Sequence, residues 1–299
     1  MRASVDGGRA PLTDRVPAWS LAVASMFIVQ FGSAVSVRLF PIIGTAGTSW
    51  LRLTMGALVF VAVARPRVRG LSWRELRWPV LLGVDTGVMT LAFLAAIDRI
   101  PLGTAVAIEF LGPLTVAVVR SRDRRALVWP LLALVGVVVL TEPWTGSIDP
   151  LGVGYAVAAG TGWGLYILLT QHVGDRFAGI NGLSISIPVA AVVAAVVGVP
   201  QAWGHVDAAV LLTALVAGLL MPVIPFTLEL LALRRLTAAA FGTLMALEPA
   251  FGTLIGALVL AQVPSLLQTL GVAFVVAAGI GAERIGHRDE PATFEPPGG

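Results

Sequence analysis

Apolar stretches long enough to cross a lipid bilayer recur along nearly the whole chain of 299 residues. Each stretch is about as long as a helix that spans a hydrocarbon core of roughly 30 Å. The ten predicted helices cover residues 18–37, 46–64, 77–97, 102–119, 127–143, 151–172, 181–199, 208–232, 238–260 and 265–283. The chain is only 12% charged, whereas an ordinary soluble domain is about 25% charged. We therefore expect an all-α polytopic membrane protein.

The distribution of arginine predicts the orientation of this protein. All twenty basic residues are arginines, and seventeen of them lie in the N-terminal segment, the C-terminal tail or the loops on the same side. Only Arg38 and Arg99 fall on the opposite side, and Arg52 lies within a predicted helix. Because arginine-rich loops remain in the cytoplasm, we predict both termini to be cytoplasmic in a bacterial inner membrane. Residues 1–16 are predicted to be a cytoplasmic segment and residues 284–299 a disordered cytoplasmic tail.

An internal repeat relates the two halves of the chain. When the sequence is shifted by 136 residues, the segment 94–99 overlays 230–235 and Pro113 overlays Pro249. Five helices in a half is an odd number, so the second half must be inverted relative to the first. We predict two inverted five-helix repeats, residues 17–149 and 150–283. Inverted repeats are typical of secondary transporters with a binding site near the midplane; an old duplication with no transport role is the alternative.

Several kinds of chemistry are disfavoured by composition. The chain has no cysteine and only three scattered histidines, so neither a metal site nor another cofactor is predicted. It has no lysine, which excludes a P-loop and a Schiff-base lysine. The arginines lie mainly in loops, which favours a role in topology over nucleic-acid binding. The sequence predicts a protein that is not an enzyme.

Ionisable residues within the predicted helices are the candidate functional residues. A charge at the centre of a bilayer costs on the order of 3 kcal/mol on insertion scales, so such residues face a protein interior or a wet cavity. Arg52, Glu109 and Glu248 lie near the middle of predicted helices, and Asp85 and Glu229 lie nearer the cytoplasmic side. Two polar residues, Gln30 and Tyr166, overlay each other at the repeat offset and are further candidates for substrate contact.

These residues have both functional and structural interpretations. Arg52 could bind an anionic group of a substrate through its guanidinium fork, or could pair with a carboxylate and lock two helices. Glu109 and Glu248 could carry protons, because burial favours the neutral form of a carboxyl group, or could be acids satisfied by neighbouring helices. Asp85 could join this network or be solvated from the cytoplasm.

Prolines lie beside the same acids and predict broken helices. Pro113 has no N–H group for the carbonyl of Glu109, and Pro249 directly follows Glu248. Two further prolines, Pro222 and Pro225, precede Glu229. Broken helices often line the cavity of a transporter, although a packing kink is the simpler alternative for any single proline.

The segments that carry these residues resemble the threonine and homoserine exporters, a branch of the EamA-type transporters in the drug/metabolite transporter superfamily. The matching segments are 29–32, 50–53, 100–114, 163–168, 225–229 and 241–250. The resemblance covers about residues 17–283 and implies ten helices in two inverted halves. It also implies export of small amino-acid metabolites driven by ion or proton exchange. Asp85 stands where the family is expected to carry a small or neutral residue.

The sequence therefore predicts a secondary exporter of threonine, homoserine or a related zwitterion. Arg52 would bind the substrate carboxylate, and Glu109 or Glu248 would bind alternately the ammonium group and a proton. The predicted partners are the small-molecule substrate, protons and the lipid bilayer, without nucleic acid; a monomer and a homodimer both remain open. The alternatives are efflux of drugs or other metabolites by the same fold, an intramembrane enzyme acting on a lipid-linked substrate, and a scaffold or sensor that transports nothing.

Overall fold

A computed structural model describes most of the chain, and every regular element in the described residues is helical. The described residues are 17–65, 72–120, 127–142, 144, 148–174, 176–177, 181–233 and 244–285. The prediction of an all-α protein is confirmed for these residues. The N-terminal segment, most of the tail and the start of the ninth predicted helix lie outside them.

The helices follow the predicted apolar segments closely. They are α1 (Ala18–Val37), α2 (Phe40–Ala64), α3 (Trp73–Ile97), α4 (Leu102–Glu109), α5 (Leu111–Arg120), α6 (Val128–Thr141), α7 (Pro150–Gly174), α8 (Asn181–Ala202), α9 (Ala208–Gly218), a π-helical turn (Leu219–Val223), α10 (Ile224–Leu233), α11 (Glu248–Leu260) and α12 (Leu266–Ile285).

Six helical segments in the described part of the chain are long and apolar enough to cross a membrane. They are Ala18–Val37, Phe40–Ala64, Trp73–Ile97, Pro150–Thr170, Asn181–Ala202 and Ala208–Glu229. Shorter apolar helices occupy Leu102–Val116, Val128–Thr141, Glu248–Leu260 and Leu266–Gly281. The chain is thus a multi-pass protein that is all-helical in its described residues.

Two helix boundaries differ from the prediction for identifiable physical reasons. The third helix begins at Trp73 rather than at residue 77, because Ser72 and Glu75 form a capping box in which the Ser72 N–H donates to Glu75 Oε2 over 2.7 Å. The second begins at Phe40 rather than at residue 46. It contains Gly44 in a left-handed conformation (φ 67°), so regular helix resumes near the predicted start.

The helices pack closely where glycines face neighbouring backbones. A methyl group on Gly87 of α3 would lie 2.9 Å from the carbonyl oxygen of Ala190 in α8, and one on Gly136 of α6 would lie 2.8 Å from that of Gly271 in α12. One on Gly160 of α7 would lie 2.8 Å from the carbonyl oxygen of Glu109. Small residues therefore set the spacing between helices, including the spacing around the end of α4.

An exposed ion pair joins the end of α3 to the start of α7. Arg99 Nη1 donates to Asp149 Oδ2 over 3.0 Å, and the Arg99 guanidinium lies 5.9 Å from the centre of the Tyr155 ring. The hydrogen bond from Arg99 holds the pKa of the Asp149 carboxyl below its ordinary value. The pair thereby holds the start of α7, the first helix of the second predicted repeat, beside the end of α3.

Replacement of Gly112 by alanine tests the contact between α5 and α7. A methyl group at this position would overlap the carbonyl oxygen of Gly160, so Gly112→Ala should destabilise the protein by about 1–3 kcal/mol. Thermal unfolding in detergent should show a lower midpoint. The matched control is Gly154→Ala, because nothing lies within 4 Å of a methyl group there. A midpoint for Gly112→Ala at or above that of the control would contradict the close approach.

Candidate functional site

The helices enclose a cavity that contains most of the polar residues predicted from the sequence. Its empty volume, including the opening, is about 620 Å³. Residues of α1, α2, α3, α4, α7, α10, α11 and the π-helical turn line it together with Met245. The lining residues are Val29, Gln30, Arg52, Met89, Thr90, Phe93, Glu109, Trp163, Tyr166, Met221, Phe226, Glu229, Met245 and Glu248. Six of the seven polar candidates thus share one cavity, with three from each predicted repeat.

Arg52 is the only cation among the described residues that line this cavity, and it is 1% exposed. Its Nη1 donates to Ser36 Oγ over 3.4 Å, and Ser36 Oγ donates to the carbonyl oxygen of Gly32 over 2.8 Å. The Nε of Arg52 has no hydrogen-bond partner among the described residues. Arg52 forms no ion pair within 4.0 Å there either, although Glu109 is near enough to attract it electrostatically. Part of the hydrogen-bonding capacity of this guanidinium is therefore available.

Three carboxyl groups share the cavity with Arg52. Glu248 is 4% exposed and interacts electrostatically with both Glu229 and Glu109. Glu229 Oε1 accepts a hydrogen bond of 2.8 Å from Ser25 Oγ of α1. Acidic groups thus outnumber the cation in one confined space, an arrangement that can bind ammonium groups or protons.

Each of these carboxyl groups lies at or near an interruption of regular helix. Glu109 is the last residue of α4, and Phe110 separates it from α5, whose first turn contains Pro113. Glu248 is the first residue of α11, and Pro249 follows it in the first turn, where its missing N–H group costs nothing.

The interruption near Glu229 involves the π-helical turn. Met221 there has extended backbone (φ −163°, ψ 116°), and Pro222 follows it. The carbonyl oxygen of Pro225, one turn before Glu229, accepts a hydrogen bond of 3.3 Å from Ser25 Oγ. A methyl group on Gly218 would lie 2.8 Å from the carbonyl oxygen of Arg52, so the interrupted segment packs directly beside Arg52.

Gln30 and Tyr166 lie on opposite predicted repeats and both line the cavity. Gln30 is 2% exposed and its Oε1 has no hydrogen-bond partner among the described residues. The Tyr166 ring packs against Phe226, with 5.8 Å between ring centres. Gln30 therefore adds to the lining an amide oxygen without a partner among the described residues, and Tyr166 contributes to the aromatic wall.

Asp85 is not among the residues that line the cavity. It lies in α3, one turn before Met89, and a methyl group on Gly162 of α7 would lie 3.5 Å from its Oδ1. Its Oδ2 is buried and has no hydrogen-bond partner in the described part of the chain. The structure thus places Asp85 between α3 and α7, one turn from a residue that lines the cavity.

The apolar lining was not predicted from the sequence. Phe93, Phe226, Met89, Met221 and Met245 line the cavity, but their types are those of any buried or lipid-facing helix residue. Trp163 falls in a segment that carried the family resemblance, yet nothing marked its ring as facing a cavity. Ser25 forms a hydrogen bond with Glu229 and Ser36 forms one with Arg52, and only the structure reveals these contacts.

Comparison with known proteins identifies relatives of this chain. The model of the EamA-like transporter family matches residues 150–281. The threonine/homoserine exporter RhtA of Escherichia coli K12 is 34% identical over 279 residues, covering 90% of this chain and 92% of that protein. The RhtA of Salmonella typhimurium SL1344 is 33% identical over 278 residues, covering 90% and 93% of the two chains.

A solved crystal structure shares the fold of this chain. The TM-score is 0.61 at 17% sequence identity, and the match covers 89% of this chain and 96% of the other. At this level of identity the similarity concerns the fold alone.

Single cysteines at two buried threonines of α3 test the position of the cavity. Thr90 lines it, whereas Thr86, one turn earlier and equally buried, does not. Because the chain has no native cysteine, a thiol at residue 90 should react about tenfold faster with a small water-soluble methanethiosulfonate than one at residue 86. Equal labelling rates, measured by mass spectrometry of the intact protein, would contradict the assignment.

Proposed function

The chain belongs to the EamA-like transporter family, and from this premise we propose that it exports threonine, homoserine or similar zwitterionic amino acids in exchange for protons. The observation that carries the proposal is a cavity that Arg52, which forms no ion pair within 4.0 Å among the described residues, shares with three carboxyl groups. The two relatives described above are named as threonine/homoserine exporters. The proposed site residues are Arg52, Glu109, Glu229, Glu248, Gln30 and Tyr166.

The chemistry of an amino acid matches this cavity. Its carboxylate can accept hydrogen bonds from Nε and the terminal nitrogens of Arg52, which carries a planar set of donors suited to carboxylates. Its ammonium group can donate to Glu109 or Glu248. Gln30 Oε1, which lacks a partner among the described residues, can accept a hydrogen bond from the ammonium or hydroxyl group.

Charge balance supports coupling to protons. Three carboxyl groups and one guanidinium share the cavity, and a zwitterion adds no net charge. Since an uncompensated buried charge is costly, the surplus carboxyl groups are most easily accommodated when they are protonated. Competition between the ammonium group and a proton for Glu109 or Glu248 would then couple the two fluxes. Asp85 lies outside this cavity and is given no part in substrate binding.

We further infer that the chain forms ten membrane spans in two inverted repeats, residues 17–149 and 150–283. The family match over 150–281 supports the second repeat as a unit, and six long and four short apolar helices supply the spans. The arginine distribution supports cytoplasmic termini. The break in α2 at Gly44 and the π-helical turn agree with the expectation that transporter sites are built from interrupted helices.

Efflux of amphipathic compounds by the same fold is a second candidate. The observation that favours it is the aromatic part of the wall, formed by Phe93, Trp163, Tyr166 and Phe226. An apolar cation would stack on these rings and would not need Arg52. Dependence of transport on Arg52 therefore separates the two candidates.

Neutral variants of the cavity acids test the coupling. In proteoliposomes loaded with labelled threonine, the wild-type protein should release it when a pH gradient is imposed. We expect Glu109→Gln or Glu248→Gln to reduce gradient-driven release by about tenfold or more while retaining exchange of labelled for unlabelled threonine without a gradient. Retention of wild-type gradient-driven release by both variants would refute coupling through these acids.

A carboxylate outside the cavity provides the control for this experiment. Glu75 accepts a hydrogen bond from the Ser72 N–H at the exposed start of α3, and glutamine can also serve at this position of a capping box. Glu75→Gln should therefore transport normally. Loss of transport in this variant as well would attribute the effect to reconstitution rather than to the cavity.

Substitution of Arg52 tests recognition of the substrate carboxylate. Arg52→Lys keeps the charge but loses the planar donors, so we expect the KM for threonine to rise about tenfold, and more for Arg52→Gln. Arg99→Gln, which removes an exposed arginine at the end of α3, is the control. An unchanged KM in folded Arg52→Gln would remove Arg52 from the proposed site, and retained efflux of an apolar cation by that variant would favour the second candidate.

A further inference from the structure

Four cationic and aromatic side chains form a cluster where α3 begins and α7 ends; we call it the Trp78 cluster. The His172 ring contacts the Trp78 ring with 4.1 Å between ring centres. The guanidinium carbons of Arg77 and Arg176 lie 4.9 Å and 5.9 Å from the centre of the Trp78 ring. Two positive charges thus lie near the same indole ring: Arg77 is on α3, and Arg176 follows the end of α7.

These cations have no anionic partner in the part of the chain that the structure describes. Neither Arg77 nor Arg176 forms an ion pair within 4.0 Å there, and both are exposed. Glu75, the acid in the first turn of α3, is occupied by hydrogen bonds from Ser72. His172 Nε2 is buried and lacks a hydrogen-bond partner among the described residues. The cluster therefore offers several donors and positive charge to one anion.

The cluster lies at the boundary between polar and apolar sequence on both helices. The apolar segment of α3 follows Trp78, and that of α7 ends at Thr170, two residues before His172. Tryptophan and arginine at such a boundary lie at the level of lipid head groups. Exposed apolar side chains continue from there along both helices, at Leu81, Val84, Val88, Leu165 and Leu168. A ligand with an anionic head and apolar chains would match both parts of this surface.

We propose that the Trp78 cluster binds the phosphate group of an anionic phospholipid. Guanidinium groups bind phosphate oxygens through charge-assisted hydrogen bonds, and the exposed side chains of α3 and α7 contact the acyl chains. A free phosphate ion shares the head-group chemistry but would make no contact with the exposed apolar side chains of α3 and α7. The bound lipid bridges α3 and α7, which belong to different proposed repeats. The proposal stands independently of the transported substrate.

Lipid titration of the delipidated full-length protein tests this site. Native mass spectrometry in detergent would compare phosphatidylglycerol with phosphatidylcholine of the same acyl chains, for the wild type and Arg77→Gln/Arg176→Gln. Since each arginine near an anionic head group contributes several-fold in affinity, the double variant should bind phosphatidylglycerol about 10- to 30-fold more weakly. Each single variant should lose about fivefold, which keeps the test valid if the double variant does not fold.

The control removes the same charge from the other end of the helices. Arg38→Gln/Arg99→Gln should retain wild-type affinity for phosphatidylglycerol. Equal loss in this control, equal affinity of the wild type for phosphatidylcholine, or unchanged affinity of folded cluster variants would each overturn the proposal. Displacement of the lipid by millimolar inorganic phosphate would overturn it in favour of a free-phosphate site. None of these outcomes bears on threonine transport, so the two proposals fail separately.

Discussion

The peptide backbone must satisfy its own hydrogen bonds wherever a chain crosses an apolar layer, and the architecture of this protein follows from that requirement. Interruptions of helix at membrane depth are tolerated only where protein or a cavity covers them. At the break in α2, Gln201 Oε1 accepts hydrogen bonds from the N–H groups of Ala46 and Gly47 over 2.7 Å and 3.1 Å. Gln262 Oε1 accepts one from the Leu102 N–H, at the start of α4, over 2.9 Å. Other interruptions open onto the cavity, so the same constraint that makes most of the chain helical concentrates its irregular backbone at the site.

The interruptions also explain how so many ionisable groups are accommodated together. Glu109 ends α4 and Glu248 begins α11, so both carboxyl groups project where regular helix stops. Arg52 instead lies within the continuous part of α2, held by Ser36 and packed beside the π-helical turn through Gly218. The charged groups are thereby fixed around the cavity without pairing directly with Arg52 within 4.0 Å in the described residues. If Arg52 were already paired with a carboxylate, fewer of its donors would be available to a zwitterion.

The sequence predicted the helices and most of the polar lining because both leave strong local signals. The length of an apolar segment predicts a membrane helix. A charged side chain inside such a segment is costly in lipid and is best accommodated in a cavity, as for Arg52, Glu109, Glu229 and Glu248. The same reasoning also selected Asp85, which the structure places between α3 and α7. Charge alone did not distinguish a cavity from an interhelical contact. The apolar wall could not be predicted, because nothing local tells Phe93 from a phenylalanine that faces lipid.

Some helix boundaries depend on contacts between residues that are far apart in the sequence, and these were not predicted. The early start of α2 depends on Gly44, because any side chain at this position would overlap the side chain of Gln201 from α8. The division of the fourth predicted helix at Phe110 involves the packing of Gly160 against Glu109 as well as Pro113. Such contacts arise only when both proposed repeats are folded together. A cavity assembled in this way has its guanidinium on one proposed repeat and two of its three carboxyl groups on the other. Any relative movement of the repeats therefore changes the distances between these groups.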